Sequence, residues 1–140
     1  MQYLSHSPEE TEEFGIQYAA QLRPGDVVAL EGALGAGKTA FVRGVLRGLG
    51  YQGRVTSPTF AIANEYEDCR IPAVHFDLYR ILDEEALFEL GFTEYLDGRR
   101  VLLIEWSENL RDMRPEQMKT VRISYGREPE ERTLEMVESL

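Results

Sequence analysis

Residues 26–46 limit the possible folds more than any other part of the chain. They open with a short apolar run at 27–30, of the kind that forms a buried strand. Residues 32–39, GALGAGKT, follow and match the pattern G-x-x-x-x-G-K-[ST]. Apolar residues then recur at helical spacing: Phe41, Val42, Val45, Leu46 and Leu49. The pattern therefore predicts a strand, a glycine-rich loop and a helix in that order, which is the context of a phosphate-binding P-loop.

Each residue type in this loop suits an anionic ligand. Glycines allow a backbone with positive φ and let several N–H groups approach a phosphate closely. The following helix adds unpaired N–H donors and a partial positive charge at its N-terminus. Lys38 can reach the β- and γ-phosphates, and the Thr39 hydroxyl can ligate a magnesium ion between them. The loop therefore predicts that the chain binds a nucleotide, with Mg²⁺ held at its phosphates.

The composition narrows the class of protein. A chain of 140 residues with 43% hydrophobic residues predicts a single domain, 1–140, with a substantial core. Cys69 is the only cysteine, so no internal disulfide can form, and we expect a reducing, cytoplasmic location. The N-terminus lacks a signal-peptide pattern, and no apolar run has membrane-spanning length. The net charge of −10 disfavours strong direct binding to a nucleic acid.

The remaining patterns predict an α/β fold whose central sheet has antiparallel strands at its edge. Ser7 and Pro8 indicate the start of a helix, with Glu10 completing a capping box, and this helix should end at residues 23–25. Asp83 is the expected N-cap of a short acidic helix that Gly91 closes. Strands are predicted at 73–78 and 99–106, and a hairpin at 120–125 with 132–137. The predicted fold class is a P-loop NTPase-like three-layer sandwich with a mostly parallel central sheet and an antiparallel edge hairpin.

Three residues outside the loop are candidates for the chemistry of a bound nucleotide. A P-loop protein needs a carboxylate near its magnesium, usually at the end of a hydrophobic strand. Glu105 ends the stronger such strand and Asp77 the weaker, and the alternatives are a solvated strand end and a capping carboxylate. Thr59, in Ser57-Pro58-Thr59, is either a γ-phosphate-sensing switch residue or part of an ordinary turn. Which carboxylate matters more for hydrolysis stays open at this point.

Four motifs, GALGAGKT, SPTF, HFDLYR and IEWSE, occur in this order and at spacings that resemble the TsaE (YjeE) family of bacterial P-loop ATPases. The similarity extends over most of the chain. The glycine loop occurs in many families, whereas HFDLYR and IEWSE together with SPTF are distinctive. Proteins of this family bind and hydrolyse ATP with Mg²⁺ during the synthesis of threonylcarbamoyladenosine in tRNA.

The resemblance implies a role for particular positions. The loop and the start of its helix would bind the nucleotide phosphates: Gly32, Gly35, Ala36, Gly37, Lys38, Thr39 and Ala40. Thr39 and Glu105 would ligate magnesium, and Asp77 would serve hydrolysis by orienting water or completing the outer shell of the metal. Other residues would lie beside the nucleotide or sense it: Thr11, Thr59, Trp106 and Arg132. From the helical pattern alone, Thr11 is a half-buried residue of the first helical turn.

The resemblance also implies partners, and two other function classes remain. The expected partners are the proteins TsaB and TsaD, where TsaD carries out the group transfer, with tRNA reached only indirectly and no membrane involved. A small-molecule kinase is one alternative, although residues 82–98 are short and acidic and lack the basic lid that such an enzyme needs. The other alternative is a nucleotide-gated binding module in which hydrolysis is incidental.

Overall fold

A seven-stranded mixed sheet forms the centre of the protein. The computed structural model describes residues 2–33, 36–58 and 62–138, and of Glu138 only the backbone. The helices and strands in chain order are β1 (Gln2–Ser5), α1 (Pro8–Ala19), β2 (Val27–Glu31), α2 (Lys38–Gly48), β3 (Ala63–Tyr66), β4 (Ala73–Asp77), α3 (Glu84–Leu90), α4 (Phe92–Tyr95), β5 (Val101–Glu105), β6 (Lys119–Tyr125) and β7 (Arg132–Glu138). A 3₁₀ segment, Ser107–Met113, follows β5.

The strand order is β1-β7-β6-β2-β5-β4-β3. The four central strands β6, β2, β5 and β4 are parallel, whereas β3 and the pair β7 and β1 at the other edge are antiparallel to their neighbours. The register places Glu105 opposite both Leu30 and Asp77. The carboxyl ends of β2, β5 and β4 therefore meet at one edge of the sheet, where ligands bind in open α/β folds. The predicted hairpin of β6 and β7 is confirmed.

Alternating side chains of the sheet enter two apolar layers on its opposite faces. In β2, Val28 and Leu30 belong to the layer shared with α1 and α2, whereas Val27 and Ala29 belong to the layer beneath α3 and α4. All five residues of β5 are buried, as expected for a central strand covered on both faces. The three-layer arrangement predicted from the sequence is thus confirmed.

The helix ends follow the predicted caps with two corrections. Ser7 caps α1 by accepting a hydrogen bond from the Glu10 N–H, but the Glu10 carboxylate accepts from the N–H of His6 instead of closing the predicted capping box. The helix also ends at Ala19, earlier than predicted, because the next residues form tight i→i−3 turns ahead of Pro24. Asp83 caps α3 and Gly91 closes it in the left-handed region, both as predicted. Within the described residues, no helix has the length and apolar character needed to cross a membrane.

Helices α1 and α2 pack so closely that glycine is required where they meet. A Cβ added at Gly48 would lie 2.6 Å from the Cβ of Ala19, and one at Gly15 would lie 2.5 Å from the carbonyl oxygen of Phe41. A Cβ at Gly44 would overlap the carbonyl oxygen of Glu12. Since α2 begins at the glycine-rich loop, this packing fixes the helix that carries the loop.

We expect Gly44→Ala to lower the free energy of unfolding by about 1–2 kcal/mol. The added methyl must displace the α1 backbone, and such overpacking costs about 1–3 kcal/mol, against a gain of at most about 1 kcal/mol in helix propensity. Chemical unfolding followed by circular dichroism measures the difference. Arg43→Ala is the matched control, because it alters the adjacent residue of α2 and removes only an ion pair of 4.0 Å to Glu12. A Gly44→Ala variant as stable as the wild type would contradict the close helix contact.

Candidate functional site

The helix that follows the glycine loop begins without a side-chain cap. Gly37 occupies the N-cap position with φ of 106°, a conformation that favours glycine, and no side-chain cap hydrogen bond is formed there within the described residues. The loop also needs glycine at position 32, because a Cβ there would lie 2.7 Å from the carbonyl oxygen of Ile123. The N-terminus of α2 is therefore open to an anionic ligand. The predicted phosphate-binding residue Gly35 lies outside the described residues.

Lys38 reaches across the loop to the end of β5. Its Nζ donates a hydrogen bond of 2.7 Å to the carbonyl oxygen of Gly32 and lies 3.3 Å from Oε1 of Glu105. The side chains of Lys38 and Glu105 are only 14% and 10% exposed, so this ion pair is partly shielded from solvent. The structure therefore brings together the predicted phosphate-binding lysine and the stronger of the two carboxylate candidates.

The second oxygen of Glu105 has a partner within the sheet. Nε2 of His75 in β4 lies 2.7 Å from Oε2 of Glu105. Burial acts to raise the pKa of Glu105, but the hydrogen bond from His75 and the proximity of His75 and Lys38 outweigh it, so the pKa lies below its usual value. The carboxyl group is therefore ionised at neutral pH, as a metal ligand must be.

Asp77 lies beside Glu105 on the adjacent strand, opposite it in the register. One of its oxygens, Oδ1, accepts a hydrogen bond of 3.1 Å from the backbone N–H of Tyr79. The two carboxylates predicted from separate strands are thus neighbours at the same edge of the sheet. Asp77 is half-buried, and its side chain lines the cavity described next.

A cavity of about 840 Å³ opens over these groups. This volume is in the range of small-molecule sites. Among the described residues, the cavity is lined by Gly32, Ala33, Gly37, Lys38, Thr39, Ser57, Ile62, Asp77, Tyr79, Arg80, Glu105 and Trp106. The lining therefore combines two cations, two carboxylates, three hydroxyl side chains and a small number of apolar surfaces.

Two of the lining residues have unusual backbone conformations. Trp106 and Ile62 have φ of 60° and 68°, in the left-handed region that bulky and β-branched residues rarely adopt. Such a conformation costs on the order of 1–2 kcal/mol for each residue. Trp106 turns the chain directly after Glu105, and its ring lies 4.8 Å from that of Tyr79 while 41% of the residue stays exposed. Strained residues cluster at functional sites, which supports a ligand role for this cavity.

The other residues implied by the family resemblance occupy different surroundings. Thr11 is buried, and its hydroxyl is 2.7 Å from that of Ser5, so it does not line the cavity. Nε of Arg132 donates a hydrogen bond of 3.0 Å to the carbonyl oxygen of Ala36, and its guanidinium lies 4.8 Å from the Tyr125 ring centroid. Arg132 thus connects β7 to the glycine loop.

Three predicted site residues remain without a contact that assigns them a role. Ala36 is buried and Ala40 is half-buried in the first turn of α2, and neither lines the cavity. Thr59 lies outside the described residues. Ser57, two residues earlier in the chain, does line the cavity. The nucleotide contacts of these residues stay predictions.

Three residues of the site, His75, Tyr79 and Arg80, were not among the predicted site residues. The position of His75 two residues before Asp77 puts both side chains on one face of β4, which is a signal for their shared location. Tyr79 and Arg80 belong to the motif HFDLYR, whose unusual density of polar residues after a strand marks a functional loop.

The donors present are compatible with magnesium held jointly by protein and ligand. Within the described ranges, no group of three or more His, Cys, Asp or Glu residues could hold a metal ion. Thr39 and Glu105 nevertheless supply a hydroxyl and an ionised carboxylate to the same cavity. Magnesium in nucleotide sites is bound by one or two such oxygens together with substrate phosphates and water. This donor set fits that arrangement.

The sheet order and the open helix start after β2 define the P-loop NTPase-like class of α/β proteins. The chain belongs to the TsaE family, because the family model for "Threonylcarbamoyl adenosine biosynthesis protein TsaE" matches residues 5–134. The chain is 43% identical over 117 residues to the tRNA threonylcarbamoyladenosine biosynthesis protein TsaE of Bacillus subtilis. The aligned region covers 84% of this chain and 73% of that protein. The TsaE protein of Treponema pallidum is 40% identical over 121 residues, with coverage of 86% and 89%.

A solved structure shares the whole fold. The crystal structure of Bacillus subtilis YdiB is similar with a TM-score of 0.83 and 34% sequence identity, covering 99% of this chain and 84% of that one. The fold class predicted from the sequence and the family resemblance are both confirmed by these comparisons.

Proposed function

We propose that this protein binds ATP with Mg²⁺ and hydrolyses it as a factor in the synthesis of threonylcarbamoyladenosine in tRNA, acting with TsaB and TsaD. The role in tRNA modification follows from the family and from the names of the similar proteins. One observation carries the ATPase part of the proposal. The ammonium of Lys38 and the carboxylate of Glu105 meet at 3.3 Å in a cavity at the uncapped start of α2.

Lys38 can exchange its present contacts for phosphate oxygens. Its two acceptors are a loop carbonyl and a carboxylate, and a triphosphate offers more negative charge at the same end of the helix. The backbone N–H groups of the first turn of α2 would bind the phosphates alongside it. When Lys38 turns to the phosphates, Oε1 of Glu105 loses its ammonium partner and becomes available as a ligand.

Thr39 and Glu105 would hold the magnesium ion. A bound magnesium ion would neutralise charge on the β- and γ-phosphates during phosphoryl transfer. The lowered pKa of Glu105 supports this role, because the carboxylate needs no deprotonation before it can act as a ligand.

Asp77 would orient the attacking water. Its carboxylate already accepts one backbone hydrogen bond, and a carboxylate has capacity for several more. Its position opposite Glu105 puts it next to the proposed magnesium ligand. Arg80 adds a second cation to the cavity on the segment that follows β4. The arrangement suits transfer of a phosphoryl group to water.

A partner protein would connect this ATPase to tRNA. The net charge of −10 repels a phosphate backbone, so we propose that tRNA is reached through TsaB and TsaD and not by direct contact. ATP turnover in this protein would then drive a step of the partner complex, which carries out the group transfer.

Trp106 provides the binding test. It is the only tryptophan of the chain, it lines the cavity and it stays partly exposed, so its emission should change saturably when ATP or ADP is added with Mg²⁺. Calorimetry on the same samples gives an independent measure of binding. Free tryptophan titrated with the same nucleotide concentrations controls for absorption by the nucleotide. A folded wild-type protein that takes up no magnesium nucleotide by calorimetry would refute the proposed function.

ATP hydrolysis measured with and without TsaB and TsaD tests the proposed ATPase activity and its dependence on these partners. We expect phosphate release into water that the partner proteins accelerate. Transfer of the phosphate to a metabolite faster than to water would identify a kinase instead. Full partner function of an Asp77→Ala variant that has lost all hydrolysis would identify a nucleotide-gated binding module.

A further inference from the structure

His75, in the central strand β4, is a polar residue that is almost fully buried. The residue is 1% exposed, and its neighbours in β4, Val74 and Phe76, belong to an apolar layer. Its Nε2 bonds to Glu105, but its Nδ1 is buried and has no hydrogen-bond partner among the residues that the structure describes. An unsatisfied buried polar atom costs about 1–3 kcal/mol. Stability alone therefore gives no reason for a histidine at this position.

The hydrogen bond between His75 and Glu105 restricts the orientation of the Glu105 carboxylate. A carboxylate only accepts hydrogen bonds, so Nε2 carries the hydrogen and donates it to Oε2. With Oε2 held at 2.7 Å by a ring fixed in the sheet, Oε1 is the oxygen that stays beside Lys38 and the cavity. Without this bond, both oxygens could turn to the ammonium of Lys38.

We propose that His75 is a positioning residue that holds one oxygen of Glu105 so that the other, Oε1, is presented to a divalent cation bound with the nucleotide. The proposal rests on the proposed function of the cavity. It assigns to His75 the part that hydrogen-bonded partners of metal ligands play in other sites, where they fix the orientation of the ligand. Lys38 shares Oε1 until the phosphates arrive, whereas His75 keeps Oε2 throughout.

Two amide variants test this role because they differ in where their N–H group lies. The amide nitrogen of His75→Gln reaches about as far as Nε2, whereas that of His75→Asn reaches only as far as Nδ1. The readout is the Mg²⁺ concentration that gives half of the Trp106 emission change at saturating ADP. We expect His75→Asn to require about tenfold more Mg²⁺, as is typical for loss of such a partner, and His75→Gln to stay within about twofold of the wild type.

Two controls make the result decisive. ADP binding without Mg²⁺, measured by calorimetry, should be the same in both variants and in the wild type, because the hydrogen bond of His75 in the described part of the chain goes to Glu105 and not to a proposed phosphate-binding residue. If His75→Asn does not unfold cooperatively, His75→Leu takes its place as the variant without a donor. Equal Mg²⁺ requirements for the wild type and the variant that lacks the donor would overturn the proposal. Absence of magnesium-dependent binding in the wild type would instead refute the proposed function.

Discussion

Lys38→Ala is expected to slow ATP hydrolysis at least about tenfold, the equivalent of about 1.4 kcal/mol in the activation free energy. The ammonium lies at the uncapped start of α2 and is the cation closest to the proposed magnesium ligand, at 3.3 Å from Glu105. Alanine would remove the proposed charged hydrogen bond to the β- and γ-phosphates and with it part of the positive charge that offsets them in a partly buried site. Phosphate release at saturating ATP and Mg²⁺ measures the effect.

The sequence offers a matched control for this variant. Its only other lysine, Lys119, is in β6 and pairs in the register with Val28, before the carboxyl end of the sheet where the cavity lies. Lys119→Ala makes the same chemical change and should leave hydrolysis within about twofold of the wild type, which is the small effect expected of a surface substitution. Equal rates for the Lys38→Ala variant and the wild type would exclude the loop as the phosphate site.

Glu105→Gln is expected to reduce magnesium-dependent hydrolysis about a hundredfold, the equivalent of about 2.7 kcal/mol. Glutamine preserves the size of the side chain but removes the negative charge that a divalent cation requires. Phosphate release measured over a range of Mg²⁺ concentrations should show a lower maximal rate and a weaker dependence on the metal. Glu31→Gln is the control, since Glu31 also ends a central strand but its carboxylate pairs with Arg122 at 2.9 Å and does not line the cavity.

The same variant has an expected effect on stability that depends on pH. The pKa of Glu105 is lower in the folded protein than its usual value, so the ionised form favours folding. This contribution is complete above the usual carboxyl pKa and disappears as the pH falls through the lowered pKa of the folded state. The difference in unfolding free energy between wild type and Glu105→Gln should therefore be largest near neutral pH and shrink in acid. A difference that grows in acid would contradict the ion-pair geometry.

Local patterns predicted the centre of the fold well. Strand β2, helix α2, buried strand β5 and the Asp83 cap of α3 all occupy residues whose apolar spacing or capping chemistry is visible within a short window. Strand β1 was not predicted, because it has only four residues and its stability comes from pairing with β7, which is distant in the sequence. The 3₁₀ segment after Trp106 was also not predicted, since it depends on an unusual left-handed turn.

The site was predictable as a list of residues but not as a geometry. Lys38, Thr39, Asp77 and Glu105 follow from the loop pattern and from carboxylates at strand ends, and the structure brings all four to one cavity. The contact of His75 with Glu105 requires β4 and β5 to be neighbours, which is a property of the sheet order and not of either strand. Thr11 was predicted from the helical pattern to be half-buried, but it is buried. Its hydroxyl lies against that of Ser5 in β1, the strand that was not predicted.

The pairing of β1 with β7 has a consequence for how this protein is made. The side chains of Gln2 and Glu135, 133 positions apart, form a hydrogen bond across these strands. At a synthesis rate of about 5–20 residues per second, the roughly 130 residues between the two strands take about 7 to 26 seconds to make, and β1 waits that long for the strand with which it pairs. During that interval Arg132 is not yet available to donate its hydrogen bond to the carbonyl oxygen of Ala36, so the glycine-rich loop lacks this contact until β7 has been made.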